Sequence, residues 1–297
     1  MPYFLGLFAV PDGVCKMNRV LIFVVLQVFL TPLAAAESLK ILLTNDDGYL
    51  SPGIQAMKAA LIEAGHTVYL VAPSSNQSGS ATSISSTGVR FSSLGEQVWR
   101  VEGRPADAVR LGIGHLLREA PPDLVISGIN FGQNMALDVM VSGTVGAAVT
   151  ASQLGVPAIA LSAEIDFAEA ASGFASTLAV FPFAATYATR LIEQPELLAM
   201  PGVLVINFPK TLPFKGIKQA RLAPSSLINN VYEEAEPGLW RSGYAGDTQD
   251  SEDTDRKILS TGYITVTHIW PTYAGTNALA PGSLDWLIRV SAADPDS

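Results

Sequence analysis

Cysteine occurs once in 297 residues, as Cys15. It precedes a cleavage site described below, so the chain that remains would carry no disulfide, thiol nucleophile or cysteine-based metal site, and its stability must come from its core. Basic residues are also few. There are 18 Lys and Arg against 27 Asp and Glu, a net charge of −9, with no basic cluster that could track a phosphate backbone. Polymeric nucleic acid is therefore not expected as a partner; a small phosphate ester remains open, because a metal can supply the missing positive charge. The three histidines, His66, His115 and His268, are far apart and lack ligand spacing, which disfavours zinc. His66, between a helix and a strand, is expected to be structural. No Gly-x-Ser-x-Gly elbow is present, since "ISGIN" and "VSGTV" both depart from it. The acidic stretch "DTQDSEDTD" lacks the glycine that a calcium loop needs at its sixth position and reads as a solvated loop. Neither an internal repeat nor a low-complexity linker divides the chain.

What is present is a large apolar fraction, 48% of residues, enough to fill a substantial core. Part of it sits near the N-terminus, where "MNRVLIFVVLQVFLTPLAAAES" begins at Met17. Arg19 provides a charged start, Val20 to Leu33 an apolar segment, and Ala34-Ala35-Ala36 a small-residue cleavage site before Glu37. This is the pattern of a secretory signal, short for a membrane span. Residues 1–16 would then be an extension ahead of the true start.

From residue 39 to about 162, strand-like and helix-like patterns alternate, which predicts an α/β fold with a mostly parallel sheet covered by helices. Strands are expected at 39–44, 67–72, 123–128, in "VPAIALS" and at 202–209. Helices are expected at 53–64, with Ile54, Met57 and Leu61 on one face, from Ser142 to Gly155, and between about 170 and 193. The part after 210 reads as short strands and loops, notably "GYITVTHIW" at 262–270, giving one domain with a core over about 39–209 and a smaller β-rich extension over about 210–297.

In such sheets ligands collect outside the carboxyl ends of the strands. Polar clusters follow successive strands there: Asn45-Asp46-Asp47, then Asn76 to Ser80 with Ser78 and Gly79, then Asn130 to Asn134, then Ser142-Gly143-Thr144 at a helix start. Asp46 and Asp47 are adjacent carboxylates that repel each other, and a cation would explain their pairing. Because nearly all the side chains carry oxygen, a hard divalent cation, Mg²⁺ or Mn²⁺, is the expected cofactor.

The segments "ILLTNDDGYLSPGIQAM", "VAPSSNQSGSATS", "EGRPADAVRLGI", "PDLVISGINFGQNMALDVMVSGTVGAA" and "LGVPAIALS" resemble, in order, the motifs of the SurE family, the survival-protein 5′/3′-nucleotidases. "VINFP" and "TDRKILSTGYITVT" extend the likeness towards the C-terminus more weakly. The resemblance implies a Rossmann-like core, a C-terminal extension used in dimer or tetramer assembly, and metal-dependent hydrolysis of nucleoside monophosphates. It assigns Asp46, Asp47, Ser78 and Asn130 as metal ligands, with Asp46 and Asp47 at the catalytic centre. Asn134 and the Ser142-Gly143-Thr144 turn fall by the phosphate, and Asn45 and Gly79 fall on the substrate side. Whether an aspartate also acts as nucleophile or base is left open by the residues. So are capture of nucleotide without turnover and action on other esters or short polyphosphate. Ser74, Ser75 and His268-Ile269 depart from the family pattern. A signal sequence implies a periplasmic or secreted protein, against the cytoplasmic location usual for the family.

Overall fold

The computed structural model of the chain describes residues 38–226, 228–244 and 250–272. The expected signal sequence and Cys15 lie outside the described residues, as does everything from 273 onward. Among the described residues, no helix is long and apolar enough to cross a membrane.

The order of elements follows from where apolar runs stop. β1 (Lys40–Thr44) has an apolar centre, Ile41 to Leu43, and is buried except at Lys40, as a strand covered on both faces must be. α1 (Pro52–Glu63) begins with a proline at its first turn and buries Ile54, Met57 and Leu61 along one face, as expected. β2 (Thr67–Pro73), β5 (Leu124–Phe131), α3 (Gly143–Gln153), β6 (Ala158–Ala163), α4 (Ala175–Ile192) and β7 (Val203–Phe208) also lie close to their predicted positions. Between β2 and β5 the chain adds β3 (Arg90–Gly95), β4 (Val98–Glu102) and α2 (Pro105–Leu111), none of them expected. β3 is largely exposed, and without a buried face it has no clear alternation to read.

One sheet of nine strands runs in the order β3-β4-β2-β1-β5-β6-β7-β11-β8, with β8 (Ile217–Gln219) and β11 (Ile264–Ile269) as its far strands. All neighbours pair in parallel except β3 with β4 and β11 with β7. Successive side chains of a strand point to opposite faces. Ile41 and Leu43 therefore pack with Ile54, Met57 and Leu61 of α1 and Phe181 and Ala184 of α4. Leu42 packs with Ala108 and Val109 of α2 and Ala147, Ala148 and Ala151 of α3 on the other side. The chain leaves β1 towards β2 on one side and returns through β5 on the other, so the strand order reverses between β1 and β5. A crevice opens at such a point.

The extension divides. β8 and β11 join the main sheet, whereas β9 (Ile228–Glu236) and β10 (Leu239–Tyr244) form a separate antiparallel hairpin. The acidic stretch is not the freely solvated loop its composition suggested. Asp250 bonds the Arg256 guanidinium, Asp253 bonds Arg221 at 2.5 Å, and Asp255, at the start of α5 (Asp255–Ser260), is buried. Asp255 accepts the N–H groups of Ala136 at 2.8 Å and Ala223 at 3.0 Å. Sequence charge overstated its exposure because those partners lie 119 and 32 residues away.

Two glycines set backbone spacings near the crevice. A Cβ on Gly53 would lie 1.9 Å from the Ile129 carbonyl oxygen, so α1 rests directly on the backbone of β5. Gly128 has φ +133°, and its Cβ would lie 2.2 Å from the Leu161 oxygen. It belongs to a bulge in which Ser127 pairs with Ala160 but Asn130 pairs with Ser162, one more residue on β5 than on β6. Such a bulge re-aims the side chains that follow it.

Replacing Gly53 with alanine should destabilise the protein by about 1–3 kcal/mol through overpacking. Gly114→Ala, with open space around its Cβ position, should stay within about 0.5 kcal/mol of wild type. Urea denaturation of the two variants measures the difference, and equal midpoints would contradict the contact between α1 and β5.

Candidate active site

β1 ends in Thr44, and the next residue shapes everything after it. The Asn45 amide donates to the Gly48 carbonyl (2.9 Å) and to Ser51 Oγ (2.7 Å), while its Oδ1 accepts the Gly48 N–H (3.2 Å). Gly48, at φ +105°, lets the loop fold back on this side chain. Asn45 is fully buried and spends its polar groups inside the loop. It is not among the residues that line the crevice, contrary to its expected place on the substrate side.

With the loop closed, Asp46 and Asp47 diverge. Asp46 Oδ1 accepts the Thr144 hydroxyl at 2.5 Å, and the nearby backbone N–H groups of Gly143 and Thr144 favour its charged form. A Cβ on Gly143 would lie 2.8 Å from Asp46 Oδ2, so the glycine is what lets α3 approach so closely. The first turn of α3 therefore faces a carboxylate of the protein itself. Ser142 caps the helix by accepting the Val145 N–H at 3.1 Å. Asp47 turns towards β5, where its Oδ2 accepts the Phe131 N–H at 2.8 Å. The Asp46 carbonyl takes the Gln77 N–H at 2.7 Å, which draws in the loop carrying Ser78 and Gly79.

Burial raises the pKa of Asp46 despite its hydrogen bonds. Asp47 is pushed up to about 6, first by burial and then by the charge of Asp46. Next to them, Asn130 donates its amide to the Gly132 carbonyl at 2.6 Å, but its buried Oδ1 has no partner. A buried acceptor left unmatched is costly.

Asp46, Ser78, Gly79, Asn130, Asn134 and Ser142 line one cavity of about 200 Å³. Its wall contains no lysine or arginine. Asp47, Gly143 and Thr144 are not among its lining residues but adjoin it, Asp47 through Phe131 and the other two through Asp46. The donor set fits a hard cation: two carboxylates whose repulsion it would relieve, and an amide oxygen with an unused lone pair. Among the described residues no group of three or more His, Cys, Asp or Glu could hold a metal, and no nitrogen- or sulfur-rich site competes with this one. The histidines stay apart, and His66 is buried, with its Nδ1 accepting the Leu39 N–H at 3.2 Å.

Sequence reasoning missed the support on the far side. Asn134 is fixed by Asn207, which accepts its N–H at 2.8 Å and donates to its carbonyl at 3.0 Å, and its amide donates to Ser162 Oγ at 2.8 Å. Asn130, Ser162 and Asn207 are register partners on β5, β6 and β7. They form a polar row across the carboxyl edge of an apolar sheet. The available signal was one polar residue near the end of each of "AIALSA" and "VLVINF". Asp138, Ile165, Phe167 and Ile228, which also line the cavity, were not anticipated either.

Because the folded-state pKa of Asp47 is raised, the stability linked to it is present at low pH and is lost as pH rises through about 6. Asp47→Asn keeps an oxygen for the Phe131 N–H and removes the repulsion. Metal-free D47N should therefore melt a few degrees above the metal-free parent at pH 8 and gain nothing at pH 4. Scanning calorimetry at the two pH values checks this, and an equal gain at both would contradict the electrostatic account.

Residues 41–229 match the model of the family described as "Survival protein SurE". Among curated proteins, a "5'-nucleotidase SurE" of Desulfitobacterium hafniense is 38% identical over 244 residues, covering 76% of this chain and 89% of that protein. A protein of the same name from Nitratidesulfovibrio vulgaris is 38% identical over 243 residues, covering 77% and 92%. The crystal structure of the SurE protein from Aquifex aeolicus superposes with a TM-score of 0.66 at 29% identity, covering 85% of this chain and 99% of that one. With the family match spanning more than half of its length and relatives similar over most of it, the chain belongs to the SurE family.

Proposed function

We propose that the protein is a divalent-metal-dependent phosphomonoesterase that hydrolyses nucleoside 5′- and 3′-monophosphates to nucleoside and inorganic phosphate. Membership of the family and the 5′-nucleotidase names of the relatives support the reaction class. The observation that carries it is the adjacent pair of buried Asp46 and half-buried Asp47 beside the unpartnered Oδ1 of Asn130. That arrangement has a use once a cation and an anionic substrate share the cavity. Asp46, Asp47, Ser78 and Asn130 would hold the cation, with Mg²⁺ or Mn²⁺ the suitable ions.

When bound, the metal supplies the positive charge that polarises the phosphoryl group and lowers the pKa of water. The chain's own residues do the rest. The Thr144 hydroxyl fixes the rotamer of Asp46, and the nearby N–H groups of Gly143 and Thr144 favour its charged form. Their action on the phosphate is indirect, through that carboxylate. Ser142, whose Oγ accepts from Val145, keeps its proton to donate to a phosphoryl oxygen. Asn134, pinned by Asn207 and Ser162, and Gly79 bound the space that the phosphate enters. In this reading water attacks phosphorus as the bond to the ester oxygen breaks, and the departing oxygen takes up a proton that the water gives up.

Two further readings belong with this one. The N-terminal pattern Arg19, Val20 to Leu33 and Ala34-Ala35-Ala36 supports export to the periplasm or beyond, with residues 37–297 as one domain. Assembly into a homodimer or homotetramer is supported by the β9–β10 hairpin, which leaves Trp240 56% exposed. A large aromatic side chain at the surface is common at interfaces between protein subunits.

Phosphate release from a panel of nucleoside 5′- and 3′-monophosphates, with Mg²⁺ or Mn²⁺ and then with EDTA, tests the proposal. Release should stop with the chelator, and Asp46→Asn should lower it roughly 100-fold or more, because a neutral oxygen holds the cation less well. An unchanged rate in D46N at limiting metal would overturn the ligand assignment. Nucleotide bound without release would overturn the hydrolase.

A further inference from the structure

Gln133 lines the cavity from the loop that follows β5, between Asn130 and Asn134 in the chain. It is half-buried. Its side chain reaches the segment after β6, where Oε1 accepts the Ile165 N–H at 3.0 Å. A backbone N–H can only donate, so the end of the amide that meets it is the oxygen. The Nε2 end, with two hydrogens, is thereby turned away from Ile165. No acceptor among the described residues takes it, and it is not enclosed by protein. The other side-chain nitrogens of the wall are engaged. Asn130 gives an N–H to the Gly132 carbonyl at 2.6 Å, and Asn134 gives one to Ser162 Oγ at 2.8 Å. Among the described residues the wall holds no lysine or arginine. Gln133 is therefore the lining side chain whose N–H donors are both uncommitted and fixed in direction.

What such a group takes follows from its chemistry. With its oxygen held by Ile165, the side chain meets a ligand only as a donor, so the partner is an acceptor. A phosphate that gives some of its oxygens to a cation at Asp46, Ser78 and Asn130 leaves others facing a wall poor in donors. Those oxygens are charged, and a hydrogen bond to a charged acceptor is stronger than one to a neutral hydroxyl or carbonyl. We propose that Gln133 is a substrate-binding residue whose Nε2 group donates to a phosphoryl oxygen of the bound monoester. This deepens the phosphomonoesterase reading and rests on it. Because Ile165 holds the amide before substrate arrives, little ordering cost is left at binding.

The test measures hydrolysis of adenosine 5′-monophosphate at saturating Mg²⁺, with inorganic phosphate as a competitive inhibitor that lacks the nucleoside. Gln133→Glu keeps an oxygen for the Ile165 N–H and puts an anion in place of the donor. Gln133→Leu removes both. Each variant should lower kcat/KM roughly tenfold or more and raise the Ki of phosphate by a similar factor, as for loss of a hydrogen bond to a charged group. Q133E should do so while melting with the parent, because the brace on Ile165 is kept. The affinity of the phosphate-free protein for Mn²⁺, followed by electron paramagnetic resonance, should not weaken in either variant. A fall in kcat/KM with the Ki of phosphate unchanged would move the contact to the nucleoside and overturn the proposal. So would failure of phosphate to compete in the wild type, wild-type kinetics in Q133E, or Mn²⁺ binding weakened as much as turnover. In each of these cases the hydrolase stands. No phosphate release from the nucleotide by the wild type would overturn the hydrolase, and this assignment with it.

Discussion

Two adjacent carboxylates, Asp46 buried and Asp47 half-buried, sit at the end of β1, and most of the local structure around them works against their repulsion. Each is given donors from a different direction. Asp46 faces the first turn of α3 and the Thr144 hydroxyl, while Asp47 faces the Phe131 N–H at the end of β5. A helix N-terminus contributes about 0.3–1 kcal/mol to a nearby anion, up to about 2 when partly buried. Withdrawing a carboxylate from water costs several kcal/mol. The donors therefore orient the pair without neutralising it, and both pKa values remain raised. A binding site for positive charge follows from that imbalance.

Holding the pair in place requires backbone approaches that side chains would block. Gly143 brings α3 against Asp46, and Gly146 lets the same helix meet the 76–83 loop, where a Cβ would lie 2.0 Å from the Ala81 oxygen. Gly128 permits the bulge after which Asn130 is re-registered opposite Ser162. These contacts join β1, β5, α3 and the loop after β2 into one rigid surround. Rigid elements suit a site whose geometry must survive the loss of its cation.

Much of this was legible in the sequence where residues act on close neighbours. The buried strand "KILLT", the helix face of Ile54, Met57 and Leu61, and the cap at Ser142 each follow from period and spacing. The convergence of oxygen-bearing loops was legible because strand ends share one edge. What could not be read depends on register between distant segments. Asn45 looked like a ligand-facing residue until its bonds to Gly48 and Ser51 were seen. Thr144 looked like a phosphate contact until its hydroxyl was found on Asp46. The row of Asn130, Ser162 and Asn207 exists only through strand pairing. Edge strand β3 is largely exposed, so little periodicity marks it, and the hairpin of β9 and β10 pairs outside the main sheet.

The same distinction explains the division of labour in the cavity. Charge chemistry is concentrated in residues next to β1 and β5, at the reversal of strand order, where the sheet backbone fixes their positions most tightly. Ile165, Phe167 and Ile228, which also line the cavity, come from the segment after β6 and from the start of β9. These connections vary more easily than the sheet, because surface segments tolerate change. Substitution there would reshape the cavity while leaving in place the backbone of β1 and β5 that positions Asp46 and Asp47.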